Sequence, residues 1–234
     1  MTKPSLLILM DIDGTLISPG MAPRQSLGEA IHRITGKRIS FEVRHLAGYT
    51  DPGIVVNALD RLGISATEQD GLVDRILVQY LEILAERYPN SNEKYVFPGV
   101  IDLLNYLQNA RYRVGLITGN MEQGASIKLK PFGLMDFFSF GVYGSDHHDR
   151  DQLPMIALQK VQQRFNESYS PVQVVVIGDT IRDVWSAHRN RMRCIAVIRH
   201  EERHKAIVAE SPDLTVSGFE NIQTIRTYLE TLKK

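Results

Sequence analysis

The chain has 234 residues, and its 27 Lys+Arg balance its 27 Asp+Glu, leaving no net formal charge. That balance gives no general attraction to nucleic acid or to an anionic membrane, and the length allows one large domain, or a core plus a smaller one, with a core that needs no disulfide staples. Cys194 is the single cysteine, which excludes an internal disulfide. Within the apolar run Cys194–Ile198 it reads as a small buried residue, and a lone thiol fits a reducing compartment. No apolar stretch reaches the ~18 residues of a membrane span. The run Leu6–Met10 is too short for a signal peptide, and no small-residue cleavage site follows it. The expectation is a cytoplasmic protein, monomer or homodimer, with no nucleic-acid partner and no membrane partner.

In chain order, Leu6–Met10 is the first predicted strand. The segment 19–94 then carries helical patterns over Ala22–Thr35, Asp51–Leu62 and Thr67–Arg87. In the last of these, Leu72, Ile76, Tyr80, Ile83, Leu84 and Tyr88 recur at three-to-four spacing, which makes one face apolar. Beyond Pro98-Gly99 helices and strands alternate. Helices are expected at Val100–Asn109, Glu122–Pro131, Leu153–Phe165, Ile181–Asn190 and Phe219–Leu232. Strands are expected at Arg113–Ile117, Phe138–Tyr143, Val172–Ile177 and Cys194–Ile198, with a short edge strand at Leu214–Val216. Continuous apolar strands such as Val174-Val175-Val176-Ile177 suit a parallel sheet covered on both faces, and the alternation predicts right-handed βαβ units. The fold class is α/β: a doubly wound parallel-sheet core over 1–18 and 95–234, with an all-helical cap over 19–94 inserted after the first strand. Hinges are expected near Ser18–Pro23 and Asn90–Gly99.

Three strand ends carry polar groups suited to chemistry. Asp11-Ile12-Asp13-Gly14-Thr15 follows the first strand, where the crevice of a doubly wound sheet lies. Its two carboxylates repel unless one is protonated or a cation sits between them; a plain acidic turn is the competing reading. Gly178-Asp179-Thr180-Ile181-Arg182-Asp183 follows Val174–Ile177. Helix capping explains one of its carboxylates, but four acids converging at strand ends make a hard, oxygen-rich site suited to Mg²⁺. Leu116-Ile117-Thr118-Gly119-Asn120 places a hydroxyl and backbone N–H groups at a helix start, which favours an anion.

Together these motifs resemble the haloacid dehalogenase superfamily of aspartate-nucleophile phosphohydrolases, over essentially the whole chain. Asp11-Ile12-Asp13-Gly14-Thr15 looks like the first motif, Thr118-Gly119-Asn120 the second, and the Gly178–Asp183 stretch the fourth. Gly48-Tyr49-Thr50-Asp51-Pro52 looks like a cap stretch of phosphoglycolate-phosphatase-like members, which makes Tyr49, Thr50 and Asp51 substrate-side candidates. The resemblance implies a doubly wound core with an inserted helical cap, a small phosphorylated metabolite as substrate, and Mg²⁺ as cofactor. Asp11 would be the nucleophile and Asp13 the general acid and base. Asp11, Asp13 (through its backbone carbonyl) and Asp179 would hold the metal, with Asp183 holding a metal-bound water or orienting Asp179. Thr118, Gly119, Asn120 and a cation would hold the phosphoryl oxygens.

The third motif departs from the family pattern. A Lys is expected there, but the segment reads Ser145-Asp146-His147-His148-Asp149-Arg150-Asp151-Gln152-Leu153. Arg150 is the expected substitute. The competing readings are that Arg150 faces solvent beside Asp149 and Asp151, and that Lys128 or Lys130 supplies the charge. The pair His147-His148 reads as a solvated loop rather than a metal site, since no Cys or His partner sits at ligand spacing. Asp13 argues against a dehalogenase or a phosphonate-cleaving enzyme. A phosphomutase remains the enzymatic alternative. A phospho-accepting receiver module is the alternative from another class, but receivers have no helical lid.

Overall fold

The computed structural model describes residues 5–199 and 201–233; residues 1–4, 200 and 234 of the expected core lie outside the described residues. The strand Leu7–Met10 (β1) is buried at every position, because its side chains feed both faces of a sheet. Ile8 and Met10 join one apolar cluster with Leu103, Leu107, Phe219 and Leu229. Leu7 and Leu9 join another with Leu153, Ala157, Val161 and Val184. This is the period-two alternation of a strand covered on both sides.

After β1 the chain forms Ile17–Ser18 (β2), then the helices Ala22–Thr35 (α1), Asp51–Arg61 (α2) and Leu72–Arg87 (α3), and returns through Tyr95–Val96 (β3). Helix α3 starts five residues later than the expected Thr67 because Gly71, at φ +65°, places a left-handed residue before Leu72. The three helices share their own apolar cluster, built on Leu27, Ile31, Ile54, Leu59, Tyr80 and Leu84. Strands β2 and β3 pair antiparallel, Ile17 with Val96 and Ser18 with Tyr95. Two-residue strands give too little pattern to be legible in sequence.

The remaining elements are Val100–Asn109 (α4), Arg113–Ile117 (β4), Glu122–Leu129 (α5), Gly141–Val142 (β5), Leu153–Phe165 (α6), Val174–Gly178 (β6), Ile181–Arg189 (α7), Arg193–Val197 (β7), Glu201–Ala209 (α8), Leu214–Val216 (β8) and Gln223–Thr231 (α9). The main sheet is parallel, in the order β5-β4-β1-β6-β7-β8, with β1 near its centre. The expected strand Phe138–Tyr143 shrinks to β5, an edge strand, because Met135–Phe137 forms a 3₁₀ turn just before it. Val172 belongs to a second 3₁₀ turn, Pro171–Gln173, closed by reciprocal bonds between Ser170 and Gln173. Helix α9 starts at Gln223 rather than Phe219. Helix α8 was not expected: of its residues only Ile207 is buried, so it carries no apolar stripe to read. Among the described residues no helix is long and apolar enough to cross a membrane.

Candidate active site

Parallel register brings the three motifs together. Met10 pairs with Leu116 on one side and with Ile177 on the other. Asp11 therefore stands level with Ile117 and Gly178, and Thr118 and Asp179 lie one residue further along their strands. A bond from Asp11 N–H to the Ile177 carbonyl, 2.9 Å, carries the pairing to the rim. Gly14, at φ +86°, then folds the first loop against Asp179 so closely that a Cβ there would lie 2.3 Å from Asp179 Oδ2. A side chain at this position would push that carboxylate out of the cluster.

Two buried cations organise the carboxylates. Arg150 Nη2 lies 3.1 Å from Asp11 Oδ1 and also pairs with Asp183 Oδ1. Arg150 is 7% exposed, so the solvent-facing reading does not hold. Its flanking acids turn elsewhere: Asp149 caps the turn by accepting from Asp151 N–H, and Asp151 pairs with Arg189. Ser186 Oγ donates to the Arg150 carbonyl, 3.1 Å, which fixes the backbone. The other Asp183 oxygen accepts from Thr180 N–H at 2.9 Å and from Thr180 Oγ1 at 2.7 Å, in a capping box at the start of α7. Asp183 is thus both helix cap and anchor for Arg150.

The second cation is Lys128, on α5. Its Nζ lies 2.5 Å from Asp13 Oδ2 and 2.5 Å from Asn120 Oδ1. Asn120 Nδ2 donates to Asp13 Oδ2 at 3.0 Å and to Thr118 Oγ1 at 2.7 Å. The other Asp13 oxygen, Oδ1, is buried and has no hydrogen-bond partner among the described residues. Lys130, the other lysine weighed for this role, is exposed at the end of α5. His147 and His148 stack on each other, ring centroids 4.7 Å apart, and no metal-ligand group of three forms around them among the described residues.

Oxygens of Asp11, Asp179 and Asp183 lie within 4.8 Å of one another. Burial pushes the Asp11 carboxyl up to about 7 against the pull of Arg150, with Asp183 and Asp13 adding to the rise. Burial, Asp183 and Asp11 raise Asp179 well above the ordinary carboxylate range, although Arg203 Nη1 lies 3.1 Å from its Oδ2. Such acids hold more negative charge than their neighbours offset, and a cation among them relieves it. The donors are hard oxygens with no thiolate or imidazole in the group, so the residues present fit Mg²⁺.

Thr118, Gly119 and Asn120 face a cavity of about 420 Å³ that also opens onto Asp11, Asp13, Lys128, Arg150 and Asp179. Of the three candidates from the helical segment, Tyr49 and Asp51 line it. Thr50 does not: its Oγ1 donates to the His148 carbonyl at 2.6 Å and accepts from Gly53 N–H at the start of α2. Asp51 N–H donates to the Gly119 carbonyl, 2.7 Å, and its Oδ2 accepts from Met121 N–H, 2.8 Å. Gly119 tolerates this docking because it lacks a Cβ, which would lie 2.1 Å from the Tyr49 carbonyl oxygen. Sequence reasoning missed Arg24, Arg199 and Arg203, which also line the cavity, and Arg182, whose guanidinium lies 3.6 Å from the Tyr49 ring centroid. Arg182 was open to discovery, since it sits inside the Gly178–Asp183 motif. Arg24 and Arg203 lie on helices that only the tertiary fold brings to the rim.

With this geometry in view, the haloacid dehalogenase-like hydrolase family matches the chain over residues 8–197. A phosphoglycolate phosphatase of Pseudomonas putida is 27% identical over 215 residues, covering 91% of this chain and 76% of its own. Among solved structures, a hydrolase from Pseudomonas syringae is similar with a TM-score of 0.74 at 18% identity, covering 96% of this chain and 99% of its own. A β-phosphoglucomutase from Clostridium difficile is similar with a TM-score of 0.71 at 17% identity, covering 99% and 97%. At those identities the two structures speak for the fold alone.

Proposed function

The chain belongs to the haloacid dehalogenase-like hydrolases and is a hydrolase of the phosphatase kind; from that premise we propose that it cleaves a small phosphorylated metabolite with Mg²⁺, through an aspartyl-phosphate on Asp11. The observation that carries this reading is the buried Asp11–Arg150–Asp183 arrangement beside Asp179, at the rim where β1 and β6 end. A carboxylate attacking an anionic phosphate needs positive charge already in place, and Arg150 supplies it without reorganisation. Asp11 attacks phosphorus and the ester oxygen leaves, taking a proton from Asp13. Asp13 then takes a proton from the water that attacks phosphorus, the bond from phosphorus to Asp11 breaks, and inorganic phosphate leaves with the Asp11 carboxylate and protonated Asp13 restored.

Division of labour between the two acids follows from their partners. Lys128 and Asn120 hold one oxygen of Asp13, and its unpartnered Oδ1 is the atom available for proton transfer. The backbone around Thr118 and Gly119, with Arg150, holds the phosphoryl oxygens. Asp11, Asp179 and the Asp13 backbone carbonyl are the ligands for Mg²⁺, which when bound supplies charge neutralisation for the transferred phosphoryl group. We assign residues 19–94 as a cap that closes over the core and excludes water.

The test is phosphate release from a panel of phosphorylated metabolites, 2-phosphoglycolate included, with Mg²⁺ and with excess chelator. Many equivalents of inorganic phosphate per enzyme, lost on chelation, are expected. A single equivalent held covalently would indicate a receiver. Conversion of a sugar phosphate to its isomer without phosphate release would indicate a phosphomutase.

A further inference from the structure

The cavity of about 420 Å³ falls within the ~300–1,000 Å³ of sites that enclose a drug-sized molecule. Phosphoglycolate, the compound in the relative's name, is a two-carbon acid and fills only part of it. Apolar side chains line the cavity as well, among them Leu27, Leu46 and Ile54 from the helical segment and Phe97 and Ile207 from the core. A leaving group that uses this space has an apolar body.

The cavity also holds a charge that no described residue pairs with. Five cationic side chains line it: Arg24, Lys128, Arg150, Arg199 and Arg203. Lys128, Arg150 and Arg203 pair with Asp13, Asp11 and Asp179. Arg199 donates to the carbonyls of Gly14 and Thr15, at 2.8 and 3.2 Å, and lies 3.8 Å from the Phe97 ring centroid. Arg24 is half-buried and has no hydrogen bond or ion pair with any described residue. It sits in the first turn of α1, which contains no acidic residue, and a cation there opposes the helix dipole. Glu93 accepts instead from Met21 N–H, at 2.9 Å. Arg24 thus makes no polar contact that anchors α1 among the described residues, yet it lines the substrate space.

We propose that the substrate is a phosphomonoester whose leaving group has an apolar body and a second anionic group, carboxylate or phosphate, and that Arg24 binds that distal anion. This rests on the phosphatase reading and adds the chemical class of the leaving group. A planar guanidinium can hold either anion at two points. Because Arg24 lies on the helical segment and the reacting carboxylates lie on the sheet, one substrate with both anions bridges the two.

The full-length protein with Mg²⁺ tests this on four substrates: phenyl phosphate, 4-carboxyphenyl phosphate, 1,4-phenylene bisphosphate and 2-phosphoglycolate. One of the doubly anionic aryl phosphates is expected to exceed phenyl phosphate in kcat/KM by about tenfold or more, the size of one charge-assisted contact, and to exceed 2-phosphoglycolate. Which of the two does so identifies the distal group. In Arg24→Gln the ratio to phenyl phosphate should fall to near one, and Arg24→Lys should recover part of it. A ratio between substrates within one protein is not mimicked by partial misfolding. Equal wild-type rates on all three aryl phosphates, an unchanged ratio in Arg24→Gln, or a preference for 2-phosphoglycolate over every aryl phosphate would overturn the inference. Release from a metabolite of the wider panel but from none of the four would overturn this inference alone, and release from no compound of either set would overturn the phosphatase reading as well.

Discussion

Asp11 and Asp13 are two residues apart, yet each has its own buried cation. On one side Arg150 joins Asp11 to Asp183; on the other Lys128 joins Asp13 to Asn120. The partners that hold Arg150, namely Asp11, Asp183 and Ser186, all lie outside residues 19–94. The Lys128 side abuts the helical segment, where Asp51 lies close enough for Lys128 to pull its carboxyl down. Two like residues on one loop are thus given different electrostatic surroundings, and different surroundings allow different roles.

The sharpest break of that comparison removes each acid in turn. Asp11→Asn should reduce turnover by roughly 10⁴-fold or more, as loss of a nucleophile does, with thermal unfolding close to wild type. Substantial turnover in the folded variant would remove Asp11 from its role. Asp13→Asn should cost less, ~10²–10⁴-fold, the range of general acid–base catalysis, and single-turnover experiments should show both formation and breakdown of the intermediate slowed. The cations come next. Arg150→Ala should lower kcat/KM by ~10²–10³-fold, as expected for a pre-placed charge at a reacting centre, and Lys128→Met by less, because among the described residues the side chain of Lys128 bonds to Asp13 and Asn120 rather than to Asp11. Equal losses would mean that both cations hold the phosphoryl group.

Metal affinity sharpens the comparison further. Asp179→Ala should raise the Mg²⁺ concentration needed for half-maximal activity more than Asp183→Ala, since both Asp183 oxygens are engaged by Arg150 and Thr180. A reversed order would exchange their roles. The smallest effect concerns Asp51, whose folded pKa is pushed up to about 6 from 3.8 by burial against the pull of Lys128 and of Met121 N–H. Between those values the folded state binds more protons than the unfolded state, so this group's contribution to stability falls as pH rises through the window. Asp51→Asn should therefore flatten the loss of stability between about pH 4 and pH 6, by on the order of 2–3 kcal/mol at most. Denaturant midpoints at several pH values measure this, and an unchanged slope would mean that Asp51 keeps its charge when folded.

The rim carboxylates were legible because each follows a buried apolar strand, and a parallel sheet aligns such ends whatever lies between them. Arg150, placed just before α6, was expected from the resemblance as the substitute for the third motif's Lys, with Lys128 and Lys130 as the alternatives. The structure brings Arg150 and Lys128 into the site, on different acids. Thr50 lies outside the cavity lining, which sequence could not show because a hydroxyl beside a substrate and a hydroxyl capping a helix look alike there; its bond to Gly53 N–H is local, and its bond to the His148 carbonyl crosses the molecule. Arg24 and Arg203 were invisible for a related reason. Each is one arginine on a helix surface until folding turns it toward the cavity, and α8 itself has too little apolar content to announce a helix.

The short ladder between β2 and β3 has a consequence for engineering. Because Ile17 stands opposite Val96 and Ser18 opposite Tyr95, the whole helical segment leaves and re-enters the sheet-bearing part at neighbouring points. Antiparallel neighbours lie about 5 Å apart, a gap that a two-residue hairpin spans. The segment is therefore a module with adjacent termini, the arrangement under which insertion and excision are best tolerated. A different segment grafted onto the same two strands would meet the same carboxylates.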